Sequence, residues 1–324
     1  MRAKKCGNGG TAILFLALLF CLCLVMPGKA DAASADGWTK KSGNYYYYLQ
    51  GKKVKGLQEI EGKTYYFDSK GIRQSGWQKI KGQWRYFKKN GVMARNRSIG
   101  RRVIDENGIW TPEDNGKIIV LDPGHSAKMP SGYEPLGPGA SEMKIKDMSG
   151  TQGTTTGVPE YKLTLVIAKK LKKELESRGY TVLLTRKSNN KAISCVQRAK
   201  IANNAKADAY IRLHANGSND SSVHGALTCC TTLNNPWVSK KISRKSAKLS
   251  KKLLDAYVKA TGCRKEYIWK TDSMSGNNWS KVPTTIIEMG YMTNPAEDRA
   301  MQKASYQKKM VKGIADGVDA YFGY

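Results

Sequence analysis

The chain has 324 residues and a formal net charge of +29, because 55 Lys and Arg residues stand against 26 Asp and Glu residues. Such an excess of positive charge predicts an anionic polymer as the partner, either nucleic acid or the phosphate-rich polymers of a cell envelope. The predicted export described next favours the envelope and excludes nucleic acid.

The first 32 residues have the pattern of a secretory signal peptide. Arg2, Lys4 and Lys5 give a positive start, residues 11–26 form an apolar run, and Ala30-Asp31-Ala32 offers small residues at the usual cleavage spacing. The apolar run is too short for a confident membrane span. We therefore predict a secreted, wall-associated protein with no stable membrane insertion after signal cleavage.

Four cysteines follow the predicted signal peptide. In an exported chain they could form two disulfides, with three possible pairings. Two of them are adjacent in sequence and cannot easily bridge each other, so buried or singly paired thiols are the favoured interpretation. These cysteines are Cys195, Cys229, Cys230 and Cys263.

The sequence from 33 to 110 repeats itself at a short, nearly constant period. An aromatic cluster follows each of Gly43, Gly62 and Gly82, and a second glycine follows each cluster. Short aromatic strands separated by glycine turns at a fixed period predict a solenoid of about three to four β-hairpins. Each hairpin is too small to be stable alone and must stack on its neighbours.

These hairpins resemble the cell-wall-binding repeats of the choline-binding type, whose opening matches Gly37-Trp38 and Gly76-Trp77. The resemblance implies an aromatic cage for a quaternary ammonium group. Leu57 and Arg85 depart from the pattern, and 17 Lys and Arg against 6 Asp and Glu in residues 33–110 suit an anionic wall polymer better. Both ligands stay open, as does a purely structural role for the aromatic residues. The candidate wall-binding residues are Trp38, Tyr46, Tyr47, Tyr65, Tyr66, Trp77, Trp84 and Tyr86.

After a connection over residues 111–116, residues 117–324 have the pattern of one α/β domain. Strands and helices alternate, which predicts a mostly parallel sheet covered by helices on both faces. A polar loop is expected between the helix at 236–261 and the last strand. The predicted strands cover 117–121, 180–186, 208–214 and 284–288, and the predicted helices cover 160–178, 192–204, 236–261, a short helix from Pro295, and a terminal helix with Met310, Ile314 and Val318 in its core stripe.

Two of the three histidines lie at the ends of predicted strands. His125 follows Asp122-Pro123-Gly124, and His214 ends the strand at 208–214. Side chains at the carboxyl ends of neighbouring strands converge on one crevice, and neutral imidazole is the commonest metal ligand. The pair therefore predicts a metal site. His224 lies in a turn-rich stretch and is expected to be a loop residue.

Two acidic residues have a comparable setting. Glu160 opens the first long helix, and Glu288 ends the strand at 284–288. A carboxylate that closes a buried strand is costly unless it is paired or bound to a metal. Taken singly, each has an ordinary explanation, since Glu160 suits a helix N-terminus and Glu288 could be a surface residue.

Taken in order, these motifs resemble the zinc-dependent N-acetylmuramoyl-L-alanine amidases with the Asp-Pro-Gly-His signature, and the likeness covers residues 117–324. The resemblance implies a largely parallel six-stranded sheet and one Zn²⁺ held by His125, Glu160 and His214. It implies Glu288 as the general base for hydrolysis of the amide between N-acetylmuramic acid and L-alanine in peptidoglycan.

The long stretch between His125 and Glu160 departs from the family, which commonly uses a shorter connection. We interpret this stretch, residues 126–159, as a flap or rim over the substrate groove, with disorder as the alternative. Glu134 and Glu142 within it compete with Glu160 as ligands, and Glu160 is favoured because it alone opens a helix. Two other functions stay open: a non-catalytic wall-binding or adhesion protein, and a metallopeptidase acting within the stem peptide.

Overall fold

The structure, a computed structural model, describes residues 36–99, 102–110 and 115–324. The predicted signal peptide lies outside these residues, as do residues 111–114 of the predicted connection. The described part of the chain contains no helix long and apolar enough to cross a membrane. Backbone contacts divide it into two units, 36–58 with 66–73 and 59–65 with 74–324, so the division falls among the repeats and not at residues 111–116.

The repeat region consists of short antiparallel strands. They are β1 (Gly37–Lys41), β2 (Asn44–Leu49), β3 (Lys52–Lys53), β4 (Gly56–Ile60), β5 (Lys63–Phe67), β6 (Gly76–Ile80), β7 (Gln83–Phe87), β8 (Arg97–Ile99) and β9 (Arg102–Ile104). β1 to β3 form a three-stranded sheet, and β6–β7 and β8–β9 are separate hairpins. These strands confirm the predicted hairpin repeats.

One backbone turn recurs through the repeats. In Asp68–Ile72, Lys88–Val92 and Asp105–Ile109, the first residue donates its backbone N–H to the carbonyl of the last at 3.0, 2.8 and 2.9 Å. The residue after each turn then donates its N–H to a carbonyl of the preceding repeat. These hydrogen bonds run from Arg73 to Tyr45, from Met93 to Thr64 and from Trp110 to Trp84. The period seen in the sequence therefore corresponds to one stacked hairpin and its turn.

The rest of the chain alternates strands with helices. In order these are β10 (Ile118–Pro123), β11 (Tyr133–Pro135), β12 (Met143–Ile145), α1 (Glu160–Glu176), β13 (Thr181–Leu184), α2 (Cys195–Asn204), β14 (Ala209–Asn216), β15 (Ala226–Cys230), α3 (Lys240–Thr261), β16 (Lys265–Lys270), α4 (Ser275–Asn278), β17 (Thr284–Tyr291), α5 (Pro295–Gln302) and α6 (Ala304–Phe322).

Six of these strands form one sheet in the order β13-β10-β14-β17-β15-β16. All pairings are parallel except that of β15 with β17, which confirms the predicted largely parallel six-stranded sheet. β15 and β16 were not expected, and the predicted polar loop after α3 is wrong because β16 occupies part of it. β16 is an edge strand, and its Lys and Glu residues give it the composition of a loop.

The two faces of the sheet pack against different helices. Ile119 and Leu121 point into the larger core with α1, α3 and α6, whereas Val120 and Tyr210 pack against α2. Because side chains alternate along a strand, even-numbered residues of β10 and β14 lie on the α2 face. This alternation determines which polar side chains meet at the carboxyl ends of the strands.

Several local predictions can be compared directly with the structure. Asn294 caps α5 by accepting the N–H groups of Ala296 and Glu297, with Pro295 at the first helical position. The terminal helix buries its predicted core stripe of Met310, Ile314 and Val318. All four cysteines after residue 32 are free, so no disulfide holds the described part of the chain.

Candidate metal centre

Strand register brings His214 beside Glu288. β14 places Tyr210, Arg212 and His214 on the α2 face, and β17 pairs Glu288 directly with His214. After this pair the register shifts, because Asn216, two residues after His214, pairs with Tyr291, three residues after Glu288. The extra residue in β17 is a β-bulge, a feature that commonly re-aims side chains next to active sites. Both strands run beyond the ends expected at residues 214 and 288.

His125 lies in a tight turn directly after β10. Its φ is +58°, a left-handed conformation that few non-glycine residues adopt. Gly124 before it has no room for a side chain, since a Cβ there would lie 2.3 Å from Cε1 of His214. Two buried guanidinium groups hold the turn: Arg186 donates to the carbonyls of Pro123 and Gly124 at 2.9 and 3.0 Å, and Arg198 donates to that of His125 at 3.1 Å.

Glu160 is the first residue of α1, and its side chain is buried. Its Oε2 accepts the backbone N–H of Thr151 at 2.9 Å, and its Oε1 accepts that of Ala215 at 3.1 Å. Ala215 follows His214 in β14, so the carboxylate is held against the strand that carries this histidine. The helix N-terminus also favours negative charge at this position.

The three side chains converge on one point. His214 Nδ1 lies 3.1 Å from His125 Nε2 and 3.1 Å from Glu160 Oε1, and His125 Nε2 lies 3.3 Å from Glu160 Oε2. A tetrahedral zinc site with bonds of about 2.0–2.1 Å separates its ligand atoms by roughly 3.3 Å. The spacing and the His–His–Glu chemistry therefore fit zinc.

The charges in this cluster are strongly coupled. Burial lowers the pKa of His125, but hydrogen bonds to Asp147 and Glu160 outweigh it and raise the pKa to about 10. Burial raises the pKa of Glu160, whereas the hydrogen bonds from both histidines outweigh burial and hold it well below its usual range. Burial lowers the pKa of His214. The carboxylate therefore stays ionised, as a metal ligand must.

Glu288 differs from Glu160 in its surroundings. Its Oε2 is buried and has no hydrogen-bond partner among the described residues, and the same holds for Nε2 of His214. Burial, followed by repulsion from the Glu160 carboxylate, raises the pKa of Glu288 to about 8. Such a carboxyl can exchange a proton near neutral pH, which suits general acid–base chemistry.

A network behind His125 was missed by the sequence analysis. His125 Nδ1 contacts the carbonyl of Met148 at 2.8 Å and Asp147 Oδ1 at 3.3 Å. Asp147 Oδ2 accepts from Arg198 at 2.9 Å, and Arg198 also donates to the buried Asp122 at 2.7 Å. With Nδ1 turned to the carbonyl and the carboxylate, Nε2 of His125 faces the cluster.

Residues 126–159 are ordered and anchored to the domain, which contradicts the alternative of disorder. Within them, β11 and β12 form a hairpin. Glu134 accepts the backbone N–H of Val196 at the start of α2, and Glu142 is exposed beside Lys144. Neither competing glutamate therefore joins the histidines, whereas Glu160 does. The interpretation as a flap or rim stays a prediction.

The aromatic candidates of the repeats have different environments. Tyr65 and Trp84 are buried, so we correct their expected contact with the wall to a role in packing. Trp38 is exposed, and the other five are half-buried; these five are Tyr46, Tyr47, Tyr66, Trp77 and Tyr86. His224 is exposed and bonds the carbonyl of Ser222 through Nδ1, as expected for a loop residue.

This α/β domain has the layout of a metallohydrolase. It gathers two histidines, a buried carboxylate and a second carboxyl group at the carboxyl ends of its strands. Comparison with known proteins identifies the family. The profile of the N-acetylmuramoyl-L-alanine amidases (Amidase_3) matches residues 119–320, and that of the choline-binding repeats matches residues 54–98. The chain belongs to the N-acetylmuramoyl-L-alanine amidase family.

Individual relatives are distant in sequence. N-acetylmuramoyl-L-alanine amidase LytC of Bacillus subtilis is 27% identical over 208 residues, which cover 64% of this chain and 36% of that protein. N-acetylmuramoyl-L-alanine amidase Rv3717 of Mycobacterium tuberculosis is 26% identical, with coverage of 64% and 86%. The crystal structure of the amidase Ami1 from Mycobacterium abscessus matches 64% of this chain and 99% of its own, with 26% identity and a TM-score of 0.58. The chain thus spans only about a third of the length of the Bacillus relative.

Proposed function

We propose that the protein is a secreted peptidoglycan hydrolase that cleaves the amide between N-acetylmuramic acid and the L-alanine of the stem peptide. Membership in the amidase family supports this reaction class. The observation that carries it is the convergence of His125, Glu160 and His214, with ligand atoms within 4.8 Å of one another, beside the buried carboxyl of Glu288. Zinc would be held by the first three residues.

Zinc at such a site supplies polarisation of the scissile carbonyl and a lowered pKa for water. Glu288 then acts at its buried Oε2, which takes a proton from the attacking water and returns it to the nitrogen of the departing L-alanine. The carbonyl carbon gains the C–O bond of the new lactyl carboxyl group and loses its bond to nitrogen. The bond between glycan and peptide is thereby hydrolysed without any oxidant or reductant.

Residues other than the three proposed ligands and Glu288 hold the side chains of the site in position. The hydrogen bonds to Glu160 from Thr151 and Ala215 orient its carboxylate, and Asp147 with the Met148 carbonyl orients the ring of His125. Catalytic groups positioned in advance lower the entropic cost of reaching the transition state. Thr151, Asp147 and Met148 all belong to the long segment between the first two ligands.

Attachment to the wall is the second part of the proposal. The match to choline-binding repeats and the excess of Lys and Arg in residues 33–110 support a wall ligand for the hairpins. The pattern of residues 1–32 supports export. A hydrolase held on its polymeric substrate gains effective concentration for repeated cleavage.

The test is the Glu288→Gln variant compared with the wild type on purified cell walls. Because glutamine keeps the shape but cannot carry the proton, hydrolysis should fall by at least about 100-fold. Zinc content, measured by elemental analysis, should stay at one ion per chain. Turnover at the wild-type rate in this variant would sink the role of Glu288.

The wild-type products separate the remaining functions. An amidase releases peptides with free L-alanine amino termini, which mass spectrometry detects, whereas a metallopeptidase releases fragments cut within the stem peptide. Activity that is lost with a chelator and restored by zinc supports the enzyme. A protein that binds walls and releases nothing under any of these conditions would be a wall-binding or adhesion protein.

A further inference from the structure

Edge strand β16 presents two large aromatic side chains to solvent. Tyr267 is 56% exposed and Trp269 is 44% exposed. Ile268 between them packs against the larger core, and side chains alternate along a strand, so both rings point to the other face of the sheet. Among the residues that the structure describes, neither the Tyr267 hydroxyl nor the Trp269 indole N–H makes a hydrogen bond. Neighbouring exposed apolar side chains of this kind mark the binding site of another molecule.

The register of the sheet places these rings on the face that carries the candidate metal centre. Trp269 pairs with Cys229 of β15, which pairs with Ile286 of β17. Ile286 pairs in turn with Arg212 of β14, which lies on the α2 face together with His214. Side chains that pair across neighbouring strands point to the same face. Trp269 therefore shares this face with His214.

The rings also lie close to Glu288 in the plane of the sheet. β16 is two strands from β17, and neighbouring strands are about 4.8 Å apart, so about 10 Å separates the two backbones. Along the strands, Leu227 pairs with Glu288, and Thr228 after it pairs with Ile268. Tyr267, one residue before Ile268, therefore lies about level with Glu288. A chain of linked rings whose scissile amide lies beside Glu288 reaches both aromatic side chains.

The chemistry of the two side chains suits a sugar ring. Tyrosine and tryptophan combine a flat apolar body with a polar group at its edge. An N-acetylhexosamine has the complementary surface, with a face of C–H groups and a rim of hydroxyl and acetamido groups. A stem peptide carries carboxylates and would need cations, but Lys265 is already paired with Asp255 of α3 at 2.5 Å. Lys270 alternates to the opposite face of the sheet from Trp269.

The other side of the candidate site is bounded by the protein's own chain. Ser126 Oγ donates to the carbonyl of Asn189 at 2.7 Å, and the N–H of Ala127 donates to the same carbonyl at 2.8 Å. The segment that follows His125 is thus tied to the chain beyond β13, the opposite edge strand of the sheet. A glycan strand that leaves the site toward β16 meets exposed aromatic rings, whereas toward β13 it meets this tied segment.

We propose that Tyr267 and Trp269 form a binding site for an N-acetylhexosamine ring of the glycan strand, and that the glycan leaves the candidate active site over β16. This binding site rests on the proposed amidase function and adds to it the side of the sheet on which the glycan lies. The two residues bind and orient the substrate and take no part in proton transfer.

The first experiment measures binding without catalysis, with the full chain and a β-1,4-linked tetramer of N-acetylglucosamine as the probe. Isothermal titration of the wild type should show saturable binding that changes little with salt, because the probe is uncharged. Trp269→Ala should weaken binding by at least about fivefold, since it removes a stacking surface. Trp269→Phe keeps an aromatic ring and should bind within about twofold of the wild type. No saturable binding by the wild type would overturn the proposal.

Leu183→Ala is the matched control. Leu183 is 42% exposed on β13 and pairs with Val120, so it occupies the same face at the opposite edge of the sheet. This variant should bind the tetramer like the wild type, and an equal loss in both alanine variants would overturn the site. Thermal melts check folding, and Tyr267→Ala replaces Trp269→Ala if the latter melts at a lower temperature.

The second experiment compares hydrolysis of two soluble muropeptides, one with a tetrasaccharide and one with a single N-acetylmuramic acid. In Trp269→Ala the loss of kcat/KM should be at least about fivefold larger on the tetrasaccharide substrate. An equal loss on both substrates would contradict a glycan-binding role. A wild type that binds the tetramer but cleaves neither muropeptide would refute only the amidase, whereas one that cleaves both and binds no tetramer would refute only this binding site.

Discussion

The contact between Gly124 and His214 gives a sharp test of the proposed metal centre. Gly124 does not have a positive φ, so alanine there meets no backbone strain. The added Cβ would lie 2.3 Å from Cε1 of His214 and 2.6 Å from both ring nitrogens. Carbon atoms in ordinary contact are at least about 3.5 Å apart, so the ring must move by roughly 1 Å.

A shift of this size exceeds what a metal site tolerates. Zinc–ligand distances hold to within about 0.2 Å, and a misplacement of about 1 Å in a catalytic group costs around 100-fold in rate. We expect Gly124→Ala to lower kcat/KM on cell walls by at least about 100-fold. Zinc affinity, measured by competition with a chromophoric chelator, should fall by at least about tenfold.

Gly317→Ala is the control for general destabilisation. Its Cβ would lie 2.7 Å from Cα of Leu253, so α3 and α6 must separate at a place that holds none of the proposed ligands. This variant should melt at a lower temperature while its zinc affinity stays at the wild-type value. If Gly124→Ala binds zinc and cleaves walls like the wild type, the proposed closeness of the turn to His214 is refuted.

Three further predictions concern the residues around the site and its support. Asp147→Asn should lower zinc affinity by about 10- to 100-fold in chelator competition because it weakens the hold on His125 Nδ1; unchanged affinity would contradict that role. Burial raises the pKa of Glu174, but the charges of Arg178 and Arg102 outweigh burial and lower this pKa. The ionised carboxylate therefore stabilises the folded state fully above its unfolded pKa of about 4.5, and this contribution is lost as pH falls through its folded pKa. In urea unfolding, Arg178→Met should therefore be less stable than the wild type by about 2 kcal/mol near pH 7, and by less near pH 3; a pH-independent difference would refute the ion pairs. Arg102→Gln removes the ion pair between Arg102 of β9 and Glu174 of α1 and should speed proteolysis within residues 74–110 without changing the cleavage of a soluble muropeptide. An unchanged proteolysis rate would argue that this ion pair does not hold the hairpin to α1.

Strand ends and motif order were enough to predict which residues meet at the site. Apolar runs define β10 and β14, and the residues directly after or at the end of such runs must gather at one edge of a parallel sheet. Glu160 was preferred over Glu134 and Glu142 as a ligand only because it opens a helix. The structure agrees, since Glu134 instead accepts a backbone N–H at the start of α2. The order of the motifs, and the family resemblance that they carry, therefore predicted the proposed ligands.

What the sequence did not reveal depends on tertiary contacts. Asp147 lies in a segment without periodicity, so nothing local indicates that it reaches His125. The bulge in β17 depends on its pairing with β14, so the sequence of β17 alone does not reveal it. All residues of β15 are buried, so this strand lacks the alternation of polar and apolar residues that marks a half-exposed strand. Burial of Tyr65 and Trp84 likewise depends on how hairpins stack and is invisible in a single repeat.

Helix α1 links the proposed site to the repeats. Its first residue, Glu160, belongs to the cluster of proposed metal ligands. Near its other end, Lys173 donates to Gln78 of β6 at 2.6 Å and Glu174 pairs with Arg102 of β9. At about 1.5 Å per residue, roughly 20 Å separates Glu160 from Glu174 along the helix. The hairpins that carry β6 and β9 therefore contact α1 at the end of this helix that lies away from the cluster.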